Sequence, residues 1–121
     1  VNRMSKETNL LINITNDAWF GKTIGPYQHL ALAKIKSVEF GFPLVRVANT
    51  GISVFVSPYG EIVTKIPLQK EGAKTIKLIS ALDYTLYKMY GEYIFIVSIL
   101  ILLIINKIYI SNYKEELINE K

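Results

Sequence analysis

Apolar residues change their period several times along this chain, and each change predicts an element. From Leu10 to Ile14 they alternate as in a strand, with Leu10, Ile12 and Ile14 on one face and Leu11 and Asn13 on the other. The alternation stops at a loop, Thr15 to Gly25, whose polar residues and glycines signal special backbone needs. Pro26 suits the first turn of a helix, where its missing N–H costs nothing. Tyr27, Leu30, Ala31, Ile35 and Val38 then recur at helical spacing, and Gly41 followed by Pro43 supplies a stop. Leu44 to Ala48 and Ile52 to Val56 read as strands. Ser57-Pro58-Tyr59-Gly60 has proline second and glycine fourth, as a type I turn prefers, so Glu61 to Ile66 should pair back as a hairpin. Lys74 to Ile79 predicts a further strand.

The last apolar stretch has no alternation. Tyr93 to Ile105, YIFIVSILILLII, carries no charge and one serine, and apolar character resumes at Ile108 to Ile110 after Asn106 and Lys107. As one helix, Tyr93 to Ile110 comes close to the roughly 20 residues that cross a bilayer. Tyr84, Tyr87, Tyr90 and Tyr93 on one side, and Tyr109 and Tyr113 on the other, fall where an interfacial aromatic belt belongs. Lys107 can extend its ammonium to the headgroups. The alternative is a core helix or an Ile/Val-rich core segment, but a domain this small has no interior long enough to hide it. Lys107, Lys114 and Lys121 follow the span while Lys77 and Lys88 precede it, a slight lean toward a cytoplasmic C-terminus.

The element order is strand, helix, strand, meander, membrane helix. It predicts an α/β fold with residues 1–82 as the globular part, 83–92 as a Tyr-rich linker, 93–110 as the transmembrane helix and 111–121 as a short polar tail. No internal repeat or low-complexity stretch is visible.

At 121 residues the chain can hold one small domain with a modest core. It reaches its first strand soon after Val1 with no charged and apolar leader, so no signal peptide is expected and an upstream portion is expected to be missing. The absence of cysteine removes disulfides, thiolate metal sites and a cysteine nucleophile from what these residues do alone. The net charge is +4, but acids interrupt the scattered lysines and no stripe suited to phosphate tracking forms, so nucleic acid is not an expected partner.

The loop after the first strand leaves a strand C-terminus, where α/β folds usually hold ligands. Asn16 and Asp17 there could orient a substrate or a catalytic side chain, or could bond their own backbone in an Asx-turn. Trp19 and Phe20, ahead of Gly21, must cover something: they plug the core, or they wall an apolar substrate. His29 is the single histidine, and with Asp17 and Glu39 it shows no metal-ligand spacing, so no metal or cofactor is expected. A hydrogen-bonding role near the helix start, beside Gly25 and Pro26, is the reading for His29. Arg46, between Val45 and Val47, needs a carboxylate if buried, with Glu39 or Asp17 as candidates. Asn49 and Gly51 mark a bend of unusual φ. Neither a G-x-S-x-G elbow nor a phosphate-binding G-x-x-x-x-G-K-[ST] loop occurs. Asn13-Ile14-Thr15 matches a glycosylation sequon but lies in a strand, and is discounted.

NDAWFG (Asn16 to Gly21), then IGPYQHLALAKIKSVEFGFPLVRVANTG (Ile24 to Gly51), then SPYGEI (Ser57 to Ile62) and one terminal membrane helix together resemble the C-terminal part of the bacterial apolipoprotein N-acyltransferase family. That family is a membrane-bound branch of the nitrilase, or carbon–nitrogen hydrolase, superfamily. The resemblance covers roughly residues 1 to 110. It implies part of a four-layer α-β-β-α sandwich on the outer face of the inner membrane. It also implies an acyl chain passed from a phospholipid donor, through a cysteine thioester, to the N-terminal amine of a diacylated lipoprotein acceptor. The Glu base, the oxyanion-stabilising Lys and the Cys nucleophile of that family all lie before the strand that precedes NDAWFG. The resemblance therefore implies a C-terminal fragment with no catalytic residue of its own, inactive alone and with half its sandwich uncovered. Asn16, Asp17, Trp19, Phe20 and Gly21 would shape the substrate pocket, with Gly25, Pro26, His29, Arg46 and Asn49 as structural support. A fragment of another nitrilase-type amidase, or a non-catalytic membrane-anchored module, are the competing readings.

Overall fold

The computed structural model describes residues 8–119, with side chains through residue 113. The chain divides into two compact units, Val1–Met89 and Tyr90–Lys121.

In the first unit, β1 (Leu11–Asn16) leads through a loop into α1 (Gly25–Phe40), which returns the chain to β2 (Leu44–Asn49). β1 and β2 pair in parallel, with Leu11 opposite Leu44, Asn13 opposite Arg46 and Asn16 opposite Asn49. β3 (Ser53–Val56) and β4 (Ile62–Ile66) continue the sheet antiparallel, in the order β1-β2-β3-β4, with a bulge at Phe55/Val56. The turn between them closes by the Gly60 N–H donating to the Ser57 carbonyl at 2.9 Å. The predicted strand at Lys74 to Ile79 does not form: residues 70–81 carry no regular element, although 75–79 line a small cavity with Val63 and Thr64 of β4. A β-prone segment without a ladder partner stays irregular, because its strand propensity is realised only through cross-strand neighbours.

α1 covers one face of the sheet. Leu30 packs into a core of Leu44, Ile52, Val54 and Val56, flanked by Leu11, Ala33 and Leu68. The helix buries Pro26, Leu30, Ser37 and Phe40, so of the predicted stripe only Leu30 points fully inward. α1 is apolar on more than one side, and its sequence alone does not say which side meets the sheet. Ser37 is tolerated inside because its hydroxyl lies 2.5 Å from the Phe42 carbonyl and 3.0 Å from the Ser57 carbonyl. The stop falls where expected: Gly41 takes the left-handed conformation, φ 66°, and returns its N–H to the Ser37 carbonyl.

Among the described residues, the opposite face of the sheet is open along β1 and the end of β2, whereas Phe55 of β3, in register with Val45 on that same face, is buried. Ile12 and Ile14 are 66% and 81% exposed, and Val47 beside them is 52% exposed.

A short helix, α2 (Leu86–Tyr90), forms inside the stretch expected to be a plain linker. α3 then runs Tyr93–Asn119, 27 residues, starting where the apolar pattern predicted and continuing through the polar segment after Ile110. Its segment Tyr93–Tyr113, 21 residues, is long and apolar enough to cross a membrane, and none of its residues is buried. At the α-helical rise that segment measures ~31 Å, against a hydrocarbon thickness of ~30 Å.

Candidate functional site

The parallel register of β1 and β2 brings their C-terminal ends side by side, and the loop after β1 is tied down there. The Asp17 N–H donates to the Asn49 carbonyl at 3.3 Å, and the Asn49 side-chain amide donates to Asn16 Oδ1 at 3.3 Å. Asn16 Oδ1 also accepts the Ala18 N–H at 3.1 Å, which is an Asx-turn. Of the adjacent pair, then, Asn16 shapes the backbone and leaves Asp17 free for another task.

The Asp17 side chain turns inward and is fully buried. Its Oδ1 is 2.8 Å from His29 Nδ1 and its Oδ2 accepts from Arg46 Nη2 at 2.8 Å. Arg46 is equally buried, and its Nη1 donates to Asn13 Oδ1 at 2.6 Å. Arg46 Nη2 also lies 3.2 Å from His29 Nδ1. The partner of Arg46 is therefore Asp17 and not Glu39, whose carboxylate pairs with Lys36 at 2.7 Å on the surface. With Nδ1–H directed to the carboxylate, the second nitrogen of the His29 ring is the one available for other contacts, on a side chain 35% exposed. Together the four side chains join both strand ends to the first turns of α1.

Two backbone features complete the cluster. At Gly51 a Cβ would land on the Asp17 carboxylate and on Ala48, so this position needs the bare glycine to let the carboxylate approach. The unusual φ expected near Asn49 and Gly51 falls on Thr50, at 57°, a left-handed conformation uncommon for a β-branched residue.

The loop itself folds back on α1. A 3-10 turn, Ala18–Phe20, ends at Gly21, and Thr23 Oγ1 donates to the Phe20 carbonyl at 2.7 Å while accepting the Gly25 N–H at 3.1 Å. Phe20 lies against Gly25 and over the His29 ring, with centroids 5.9 Å apart. Pro26, in the first turn of α1, is buried. Trp19 plugs nothing in the described core: it is 82% exposed at the tip of an otherwise fastened loop. Fastening a loop at both ends and then projecting a large aromatic from it suits contact with an apolar ligand or surface.

The family model for carbon-nitrogen hydrolase matches residues 3–87, which span the sheet, α1 and the whole of this cluster. The chain belongs to the carbon–nitrogen hydrolase family. Among its curated relatives, an apolipoprotein N-acyltransferase of Pasteurella multocida is 41% identical over 101 residues, covering 83% of this chain and 19% of the relative. One of Rickettsia bellii is 40% identical over 126 residues, covering 98% of this chain and 23% of the relative. One of Haemophilus ducreyi is 39% identical over 93 residues, covering 77% and 18%. The chain thus spans about a fifth of the length of the curated relatives it matches.

Within this carbon–nitrogen hydrolase unit the structure brings Asn16, Asp17, His29, Arg46 and Asn49 together, and sets Phe20, Gly21, Gly25 and Pro26 in the loop and turn that cover them. Trp19 stands apart at the tip. Asn13 is the member that sequence reasoning missed. Its signal was the strand register, since parallel pairing puts Asn13 beside Arg46 on the face under α1.

Proposed function

We propose that this chain is the C-terminal portion of an apolipoprotein N-acyltransferase, with α3 crossing the inner membrane and the globular unit on its periplasmic face. In that reaction a cysteine thiolate attacks an ester carbonyl of a phospholipid, forming a thioester and releasing the lysophospholipid, and the free N-terminal amine of a diacylated lipoprotein then attacks the thioester, forming an amide and releasing the thiolate. Dividing one difficult acyl transfer into two easier steps is what nucleophilic catalysis achieves. The Cys, its Glu base and the oxyanion-stabilising Lys come from sequence outside these 121 residues, which contain no cysteine.

This chain contributes a wall. The Asp17–Arg46–His29–Asn13 cluster holds the end of β1 rigid, and Asn16, Trp19, Phe20 and Gly21 edge the acyl pocket from it, with Trp19 meeting the apolar chain. One observation carries the reading: relatives named as apolipoprotein N-acyltransferases are about 40% identical over 83% and 98% of this chain.

The test is a chimera in which this chain replaces the aligned segment of the Pasteurella multocida relative, in a strain depleted of its own enzyme. N-acylated lipoprotein should reappear. A chimera that inserts into the membrane at normal level yet leaves lipoproteins diacylated overturns the proposal. The chain alone, given phospholipid and a diacylated lipoprotein peptide, should transfer no acyl group, and transfer by the chain alone would contradict the division of labour proposed here.

A further inference from the structure

We infer that the outer side of α1 is a membrane-contact surface, lying along the bilayer interface between the Trp19 loop and the start of α3. The inference rests on the reading of α3 as a span.

α1 turns Pro26, Leu30, Ser37 and Phe40 toward the sheet. A second apolar stripe, Tyr27, Ala31, Ile35 and Val38, repeats at i, i+4, i+8 and i+11 on its outer side, with Tyr27 52%, Ile35 49% and Val38 47% exposed. A helix of a soluble domain carries charged and polar residues there. Ile35 and Val38 open onto a groove of about 880 Å³ whose walls include Tyr59, Leu82, Tyr84 and Leu86. At the other end of the stripe stand Ile24 and Trp19, 65% and 82% exposed.

The chain itself brings this surface to the membrane. The segment before the span is stapled to the C-terminal end of α1: Leu82 N–H donates to the Gly41 carbonyl at 2.7 Å, and Thr85 Oγ1 donates to the Glu39 carbonyl at 2.5 Å. Tyr87 meets Phe40 edge-on at 5.8 Å, and Lys88 Nζ sits 4.7 Å from the Phe42 ring centroid. Lys88 precedes Tyr93, the first residue of the span, by only a few positions, and that length of chain reaches at most ~18 Å. The C-terminal end of α1 is thus confined near the bilayer surface.

Standing upright, α1 would hold the Trp19 loop ~24 Å farther out and leave its apolar stripe in water. Lying flat, it buries the stripe in the headgroup and acyl boundary and delivers Trp19 to the same depth. Tyr27 begins the stripe, and Lys34, Tyr59 and Tyr84 line the groove beside it, the residue types that populate such a boundary. A protein partner would cover apolar surface too, but it would not account for the continuity with the span.

The chain contains no cysteine, so single cysteines can each carry one environment-sensitive fluorophore. The full chain, in vesicles of phosphatidylethanolamine and phosphatidylglycerol with nitroxide-bearing lipid, is labelled at Ile35→Cys, Val38→Cys or Tyr59→Cys. Lys36→Cys and Glu61→Cys serve as polar surface controls, and Ile101→Cys reports on the span. Lipid quenching should be several-fold stronger at Ile35, Val38 and Tyr59 than at Lys36 and Glu61, with Ile101 quenched as well. Quenching at Ile101 with no excess at Val38 overturns the inference and leaves the span standing. An unquenched Ile101 removes the span and the inference with it. Sites shielded from aqueous iodide yet untouched by lipid nitroxide are covered by protein, and equal quenching everywhere marks an unfolded chain on the membrane; either result also overturns the inference.

Discussion

Asp17 and Arg46, 29 positions apart, meet at 2.8 Å with both side chains wholly removed from water. Deleting one member of such a pair strands the other charge in a low-dielectric interior, at about 3–5 kcal/mol. Replacing both can cost far less, because no unpaired charge remains.

Arg46→Ala in the chimera should therefore lower stability by an amount in that range, read from thermal unfolding in detergent. The double variant Asp17→Asn/Arg46→Met should lose less than the sum of its single changes. Strict additivity would mean that the two side chains do not act as a pair.

At Gly51 the constraint is space. Gly51→Ala drives a methyl group into the Asp17 carboxylate and Ala48, with an expected loss of about 1–3 kcal/mol. Gly72 is the control, since a Cβ there meets only Ile66 atoms at 3.8–4.0 Å, an ordinary contact. Gly72→Ala should leave the melting temperature unchanged, and equal effects at the two glycines would refute the close approach.

Trp19 separates folding from function. Its exposure places Trp19→Ala within about 0.5 kcal/mol of the parent in stability. In the proposed role of acyl-pocket wall, its loss should nonetheless cost the chimera more than about tenfold in acyl transfer, equivalent to ~1.4 kcal/mol of transition-state binding. Transfer assayed beside the melting temperature checks both halves, and an active Trp19→Ala enzyme would remove the loop from the pocket.

For α3 the decisive change is a charge at mid-depth. Ile101→Asp should disfavour insertion by about 2.5–3.5 kcal/mol on translocon scales. The readout is the fraction of chain resisting alkaline carbonate extraction, and an unchanged fraction would argue against a span.

Much of the fold was legible in the residues. Pro26 and Gly41 bracketed α1 because each has one dominant local conformation, and the uncharged run from Tyr93 announced α3. Elsewhere tertiary context intervened. Lys74 to Ile79 has strand composition but no partner. α1 has two apolar sides, and the burial of Ser37 through its carbonyl contacts chose between them. At the candidate site, the need of Arg46 for a carboxylate could be read directly. The choice of Asp17 over Glu39, and the arrival of Asn13, depended on strand register, which a short alternating run does not encode.

Among the described residues β1 lies at the margin of the sheet, and it carries the exposed Ile12 and Ile14. A margin strand with exposed branched side chains is a template on which a second chain can add a strand of its own. Wherever no partner strand lies along this edge, the protein would compete between correct insertion and self-association, so its yield in cells should be set by holdase chaperones and proteases more than by the strength of its own core.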